Sequence, residues 1–183
     1  MGRFVVALNL AKREHPKNVL DIGCYDGKNT KVIYKTFGCE TLGIDKNEKY
    51  VKNLKNHKSL TFKQIDFEQD NIDGKFDGVF LLEVLEHFKN PYTELKKIYD
   101  LLEDNGWLVL STPDAGNYKQ VAMNLLPGRI EKTMGEKRGD GTETDHIYCW
   151  NKLTLLRLLL EVGFAFESFA YGESSLIFKV VKV

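Results

Sequence analysis

Two hydrophobic periods alternate along the chain. Short β-rich runs stand at Asn18–Ile22, Glu40–Ile44, Leu60–Ile65, Phe76–Leu82 and Gly106–Ser111, each bounded by Gly, Asp or Pro. Between most of them the apolar positions recur at helical spacing, over Lys28–Phe37, Asn47–Asn56 and Pro91–Glu103. The last of these has Pro at its first turn and an Asn105-Gly106 stop. The N-terminal run Phe4–Leu8 predicts an amphipathic helix, since Asn9 breaks it and Lys12-Arg13-Glu14-His15 ends it well short of a membrane span. Strands alternating with helices of this length predict βαβ crossovers and a mostly parallel sheet.

The rhythm changes after Pro113. From Asn117 to Asp145 there is no sustained period, four glycines appear, and five basic residues balance five acidic ones. This segment is expected to be an insertion covering the substrate. Helical order returns after Asn151, a predicted N-cap, with Leu153, Leu156, Leu159 and Leu160 as its apolar face and Gly163 as its stop. Two further β-rich runs, Phe164–Tyr171 and Ser175–Val183, have no helix between them and predict an antiparallel hairpin at one sheet edge. The expected fold is therefore one α/β domain over 1–183, doubly wound and Rossmann-like, with a seven-stranded, mostly parallel sheet.

Composition narrows the function. The 183 residues carry 26 basic and 26 acidic side chains, so no bulk field holds a polyanion or an anionic bilayer, and nucleic acid or membrane binding would need a local patch. Cys24, Cys39 and Cys149 form no CxxC pair and suggest neither a disulfide framework nor a zinc knuckle. A reducing cytoplasm is the expected compartment.

In an open α/β sheet, ligands bind beyond the carboxyl ends of the strands at the topological switch point. The first strand is followed by Asp21-Ile-Gly23-Cys-Tyr25-Asp-Gly27, a glycine loop opening a helix. The dinucleotide spacing would need Gly at positions 25 and 28, where Tyr25 and Lys28 stand, and no Gly-Lys-Ser/Thr closes a P-loop. Both failures disfavour a pyrophosphate, and with it a nicotinamide-dependent reductase. An acid ahead of a partial glycine loop suits instead a ligand with a cationic end. Asp45, ending the second strand, is placed to accept two ribose hydroxyls. Asp66, ending the third, is placed to accept an adenine amino group, with the next backbone N–H donating to the ring.

In this order and spacing the sequence resembles the class I S-adenosylmethionine-dependent methyltransferases, and in part those of the ubiquinone pathway. Val19–Gly27 is similar to their glycine motif, Gly43-Ile-Asp45 to their ribose acid, Gln64-Ile-Asp66 to their adenine contact, Phe76–His87 to their fourth-strand motif and Gly106–Pro113 to their fifth strand. The resemblance implies S-adenosylmethionine as cofactor, S-adenosylhomocysteine as product, and a cofactor site made by Asp21, Gly23, Cys24, Gly27, Asp45, Lys46, Asp66, Phe67 and Leu82. It implies methyl transfer to an O or N acceptor, on a small-molecule substrate or on a group presented by a larger one. Tyr25 departs from the family's glycine, so either the loop takes another path or the ring turns away from the cofactor. Cys24, with no base beside it in sequence, is expected to pack and not to act as a nucleophile.

Glu83, Glu86 and His87 follow the fourth strand, beside the expected methyl-transfer point, and His146 lies where the insertion returns to the sheet. His87, His146 and Glu83 are read as acid–base or substrate-orienting groups, with His146 facing the transferred methyl. The same cluster resembles that of metal-dependent small-RNA 2′-O-methyltransferases, although a bound divalent ion is not the favoured expectation. A non-catalytic binding module is the remaining alternative, and the retained acids Asp21, Asp45 and Asp66 argue against it. Trp107 and Trp150 are expected to be packing residues, and His15 and His57 to be solvated.

Overall fold

The computed structural model describes residues 2–116 and 146–183. The expected cover at 117–145 lies outside the described residues. The elements are α1 (Arg3–Ala11), β1 (Asn18–Ile22), α2 (Lys28–Phe37), β2 (Glu40–Asp45), α3 (Glu48–Val51), β3 (Leu60–Gln64), β4 (Phe76–Leu82), a 3₁₀ turn (Leu85–His87), α4 (Pro91–Leu101), β5 (Leu102–Pro113), α5 (Lys152–Val162), β6 (Phe164–Gly172) and β7 (Ser175–Lys182). The strands make one sheet of order β3-β2-β1-β4-β5-β7-β6. Pairing is parallel from β3 through β5, while β7 runs antiparallel to both β5 and β6. The predicted edge hairpin is thus present.

Strand β4 shows why both sheet faces are covered. Val79 and Leu81 point into a core shared with α4 and α5, whereas Phe80 points into a second core with α1 and α2. A strand buried on both faces reads as a continuous apolar run, as Phe76–Leu82 does. Helix ends follow the expected caps. Asn151 accepts from the N–H groups of Leu153 and Thr154 in a capping box, and Gly163 closes α5 in the left-handed conformation. Asn90 caps α4 ahead of Pro91.

Two helices are shorter than the periodicity suggests. The helix expected over Asn47–Asn56 is one turn, Glu48–Val51. The Asn56 side chain instead accepts from Phe62 N–H, and His57 bridges Leu60. Asparagine side chains compete for backbone donors in this way and favour turns over helix. Helix α4 ends at Leu101, and Leu102 already pairs with Phe76, because Asn105 adopts φ +63° inside a bulged strand.

Helix α1 is pinned to the hairpin. Lys179 of β7 is buried and pairs with Glu14 and Glu167. Burial alone would lower the Lys179 pKa, but the two carboxylates reverse this and raise it. The anchored α1 brings Arg3 and Phe4 to the edge of the cavity described next.

Candidate active site

The chain runs outward from β1 through β2 to β3, then returns to place β4 on the other side of β1. This reversal opens a crevice beyond the strand ends. A cavity of about 660 Å³ lies there, within the size range of small-molecule sites. Every cofactor residue expected from sequence except Gly27 lines it: Asp21, Gly23, Cys24, Asp45, Lys46, Asp66, Phe67 and Leu82. Gly27 sits one step behind, where a Cβ would meet Phe62 and Leu54 at 2.8 and 2.9 Å. Its role is to let α2 start against β3. Gly23 has φ +76°, and its N–H and that of Cys24 both donate to Ile44 O at 2.9 Å, tying the loop to β2.

The three acids are held differently. Asp21 is buried and accepts from the Thr30 hydroxyl at 2.6 Å. Burial pushes its carboxyl up to about 7, with Thr30 opposing and the Asp45 charge adding to the rise. Asp45 accepts from Tyr25 N–H at Oδ2 and Asn47 N–H at Oδ1, both at 2.9 Å, and each oxygen retains a second acceptor site. Asp66 accepts from Glu68 N–H and Gln69 Nε2, so it also forms the turn into the β3–β4 connection. Cys24 is buried, and burial together with Asp21 and Asp45 raises its thiol pKa. The thiol is therefore protonated and fits its packing role.

Tyr25 does not turn away. It keeps the left-handed backbone a glycine would take, with φ +49°, and its half-exposed ring lies at the cavity rim against Tyr50, centroids 4.1 Å apart. The loop thus carries a tyrosine in a backbone conformation that favours glycine.

On the opposite wall, Glu83 also has a positive φ of +57°. Its carboxylate accepts from Ser111 Oγ at 2.7 Å and pairs with Arg3 at 3.3 Å. His87 lines the cavity, but His146 does not; its exposed ring packs edge-on against His87 with centroids 5.0 Å apart. Glu86, only 1% exposed, accepts from Thr112 at Oε2, while Oε1 has no hydrogen-bond partner among the described residues. Burial pushes this carboxyl up to about 7, and the charge of Glu83 contributes. One ligand atom from each of Glu86, His87 and His146 lies within 4.8 Å of the other two.

A sequence model of the methyltransferase domain family matches residues 3–168. The chain belongs to the class I S-adenosylmethionine-dependent methyltransferases. Among curated relatives, this methyltransferase is 32% identical over 103 residues to the ubiquinone biosynthesis O-methyltransferase of Dechloromonas aromatica, covering 52% of this chain and 44% of that one. The chain thus spans about half the length of the curated relatives it matches. Its fold matches a Haloferax volcanii putative methyltransferase, solved in complex with the Trm112 activator, with TM-score 0.78 at 15% identity, covering 97% of this chain and 87% of that one. It also matches the magnesium protoporphyrin IX methyltransferase of Synechocystis with bound S-adenosylhomocysteine, with TM-score 0.71 at 22% identity, covering 98% and 80%.

Among the residues lining the methyltransferase cavity that escaped the sequence reading are Arg3, Phe4, Tyr50 and Ile147. Arg3 and Phe4 come from a helix that precedes the first strand, and no motif marks them. Ile147 could have been inferred from its neighbour His146. It is fixed because the N–H groups of Ile147 and Tyr148 both donate to Glu86 O, at 2.9 and 3.3 Å. Trp107 is core, His15 and His57 are exposed, and Trp150 stacks on Tyr148, each as expected. Among the described residues, no helix is long and apolar enough to cross a membrane.

Proposed function

We propose that this domain transfers the methyl group of S-adenosylmethionine to an oxygen or nitrogen acceptor on a small molecule. One observation carries the reading: acids from the ends of β1, β2 and β3 converge on one cavity whose far wall bears Glu83 and His87. The names of its relatives agree, since one is a ubiquinone-pathway O-methyltransferase and a structural neighbour holds S-adenosylhomocysteine.

The donor set fits the cofactor. Asp21 is a desolvated carboxyl with a hydroxyl, not a cation, as its hydrogen-bond donor, which suits a ligand bringing an ammonium group. Asp45 would accept the ribose hydroxyls, Asp66 and the Phe67 N–H would take the adenine edge, and Cys24, Lys46 and Leu82 would wall the site. Arg3 would offer a cation to the cofactor carboxylate. When bound, the cofactor supplies a methyl group already activated by its sulfonium. The protein's own task is then chiefly to hold the acceptor in line, a positioning effect of up to about 7–11 kcal/mol. His87, on the cavity wall, would accept a proton from a hydroxyl acceptor, and Glu83, fixed by Ser111 and Arg3, would orient it.

Calorimetric titration with S-adenosylhomocysteine and with NADH, followed by mass-spectrometric search of a small-metabolite extract for products gaining one methyl, tests the reading. Binding of the first alone and a methylated product are expected. Binding of NADH alone, or of neither ligand, would overturn the reading of the cavity as the cofactor site.

A second reading has its own observation. The Glu86, His87 and His146 donors lie together, and the free Glu86 oxygen is buried, so the trio would bind a divalent ion through one carboxylate and two imidazoles. Glu83 would stay outside that set because Arg3 and Ser111 occupy it. Manganese titration followed by electron paramagnetic resonance separates the readings: a stoichiometric site lost in His146→Ala supports the metal, and its absence leaves His87 as a base.

A further inference from the structure

The zero net charge of the chain conceals a strong segregation. Between Lys28 and Lys63 there are nine lysines and only three acids, Glu40, Asp45 and Glu48. The whole chain has 26 of each sign, so everything outside this segment carries 17 basic and 23 acidic residues. One segment of 36 residues is thus positive by six, and the rest is negative by six.

The segment is one body in space. Val51, Leu60 and Phe62 form a satellite core with Cys24, against which Tyr34 of α2 and Leu54 pack. Helices α2 and α3 and the edge strand β3 therefore share a single lobe, and all nine lysines on it are exposed. On α2, Lys28, Lys31 and Lys35 fall at i, i+3 and i+7, which places them in one stripe. Lys49, Lys52, Lys55 and Lys58 follow at intervals of three along α3 and the turn after it. A lysine on an edge strand, such as Lys63, serves to block sheet extension, but that role does not account for the helix stripe or the turn.

We infer that the α2–α3–β3 lobe is a docking face for single-stranded nucleic acid. A run of lysines of this density neutralises a regularly charged backbone, and the attraction is realised as release of condensed counterions. Two aromatic pairs border the track. The Tyr25–Tyr50 pair lies at the end of the lobe nearest the cavity, and Tyr34 sits beside His57, centroids 6.4 Å apart, among the lysines. Aromatic faces interleaved with a positive track are how single strands are held without sequence readout. The only large apolar side chains half-exposed on the lobe are Tyr25 and Val32, which leaves little to insert into a bilayer and favours a strand over a lipid surface. Lys46 also lines the cavity, as does Lys28, which is ion-paired with Asp26 at 2.6 Å, so Lys46 carries the track to the mouth of the site. The inference goes beyond the methyl-transfer reading and does not depend on whether the acceptor belongs to the bound strand.

The test is fluorescence anisotropy with a labelled single-stranded 20-mer of uridylate on the full chain. With about four phosphates neutralised, affinity should fall about 50-fold between 50 and 200 mM salt. A variant with Lys35→Glu, Lys52→Glu, Lys55→Glu and Lys58→Glu, none of which lines the cavity, should bind the 20-mer at least tenfold more weakly. Its calorimetric affinity for S-adenosylhomocysteine should be that of the parent, which also reports that it folds. No binding at 50 mM salt, equal binding by parent and variant, or binding to phosphatidylglycerol vesicles in preference to the 20-mer would each overturn the inference. Because strand binding is read without turnover, failure of the methyl-transfer reading would appear separately, as loss of cofactor binding by the parent.

Discussion

The backbone N–H of Tyr25 donates to Asp45 Oδ2 at 2.9 Å across twenty residues of sequence. The acid proposed to read the ribose therefore also fixes the glycine loop. Asp45→Ala should remove a charged acceptor, worth about 1.5–3 kcal/mol, and weaken cofactor affinity by about ten- to hundredfold. Asp45→Asn, which keeps one acceptor oxygen for Tyr25 or Asn47, should lose less. Calorimetry with S-adenosylhomocysteine checks the order, and equal affinity in parent and Ala variant would remove Asp45 from the cofactor site.

Tyr25 reverses the usual ranking of alanine and glycine. Its φ of +49° penalises any Cβ by about 1–2 kcal/mol, while its ring contributes about 0.5–1.5 kcal/mol against Tyr50. Tyr25→Ala keeps the strain and loses the ring, whereas Tyr25→Gly loses both. The alanine variant should be less stable than the glycine variant by about 1 kcal/mol in urea denaturation. The opposite order would mean that the loop does not hold the left-handed conformation.

Asp21 sets a pH dependence. Its carboxyl titrates near 7 in the folded chain, against 3.8 as its ordinary value. A raised folded-state pKa stabilises the fold fully below about pH 4, and that contribution disappears as pH rises through 7. Three units amount to about 4 kcal/mol at most. Thermal melts should show stability falling from pH 5 to pH 8, and Asp21→Asn should flatten the fall. A ligand with an ammonium group beside Asp21 should flatten it too.

Gly78 has no room for a side chain. A Cβ there would stand 2.1 Å from the Trp107 ring, so Gly78→Ala should cost about 1–3 kcal/mol through overpacking. Combining it with Trp107→Leu should cost less than the sum of the two single changes, because the smaller residue vacates the clash. Strict additivity in a double-mutant cycle would contradict the packing.

The central strands were legible because β1, β4 and β7 are largely buried on both faces and read as apolar runs, with Gly and Asp near their ends. Helix ends with a dedicated cap, such as Asn151 and Gly163, were also legible. Helix α3 was misread because Asn56 spends its side chain on Phe62 N–H, a contact set by the β3 partner and not by local period. The cavity-lining residues Asp21, Asp45, Asp66 and Leu82 were legible because they stand at or just beyond the carboxyl ends of β1 to β4. Arg3 was not, because α1 reaches the cavity only through its docking on the β6–β7 hairpin, locked by Lys179 with Glu14 and Glu167. The His146–His87 contact joins residues 59 apart in sequence; position alone led to the expectation that His146 faces the transferred methyl, whereas its ring packs on His87 outside the cavity lining.

The bridge between Asp114 and Trp150, with Ala115 N–H donating to Trp150 O at 2.8 Å, has an architectural consequence. It holds Asp114 and Trp150 side by side although they lie 36 apart in sequence, so the end of β5 and the start of α5 are fixed to each other directly. Whatever length of chain is spliced in at that point, the cost of closing it is already met by the staple and grows by only about 0.6 kcal/mol per doubling. The end of β5 and the start of α5 thus behave as a socket, whose geometry is set by one backbone joint and not by the chain that runs between them in sequence.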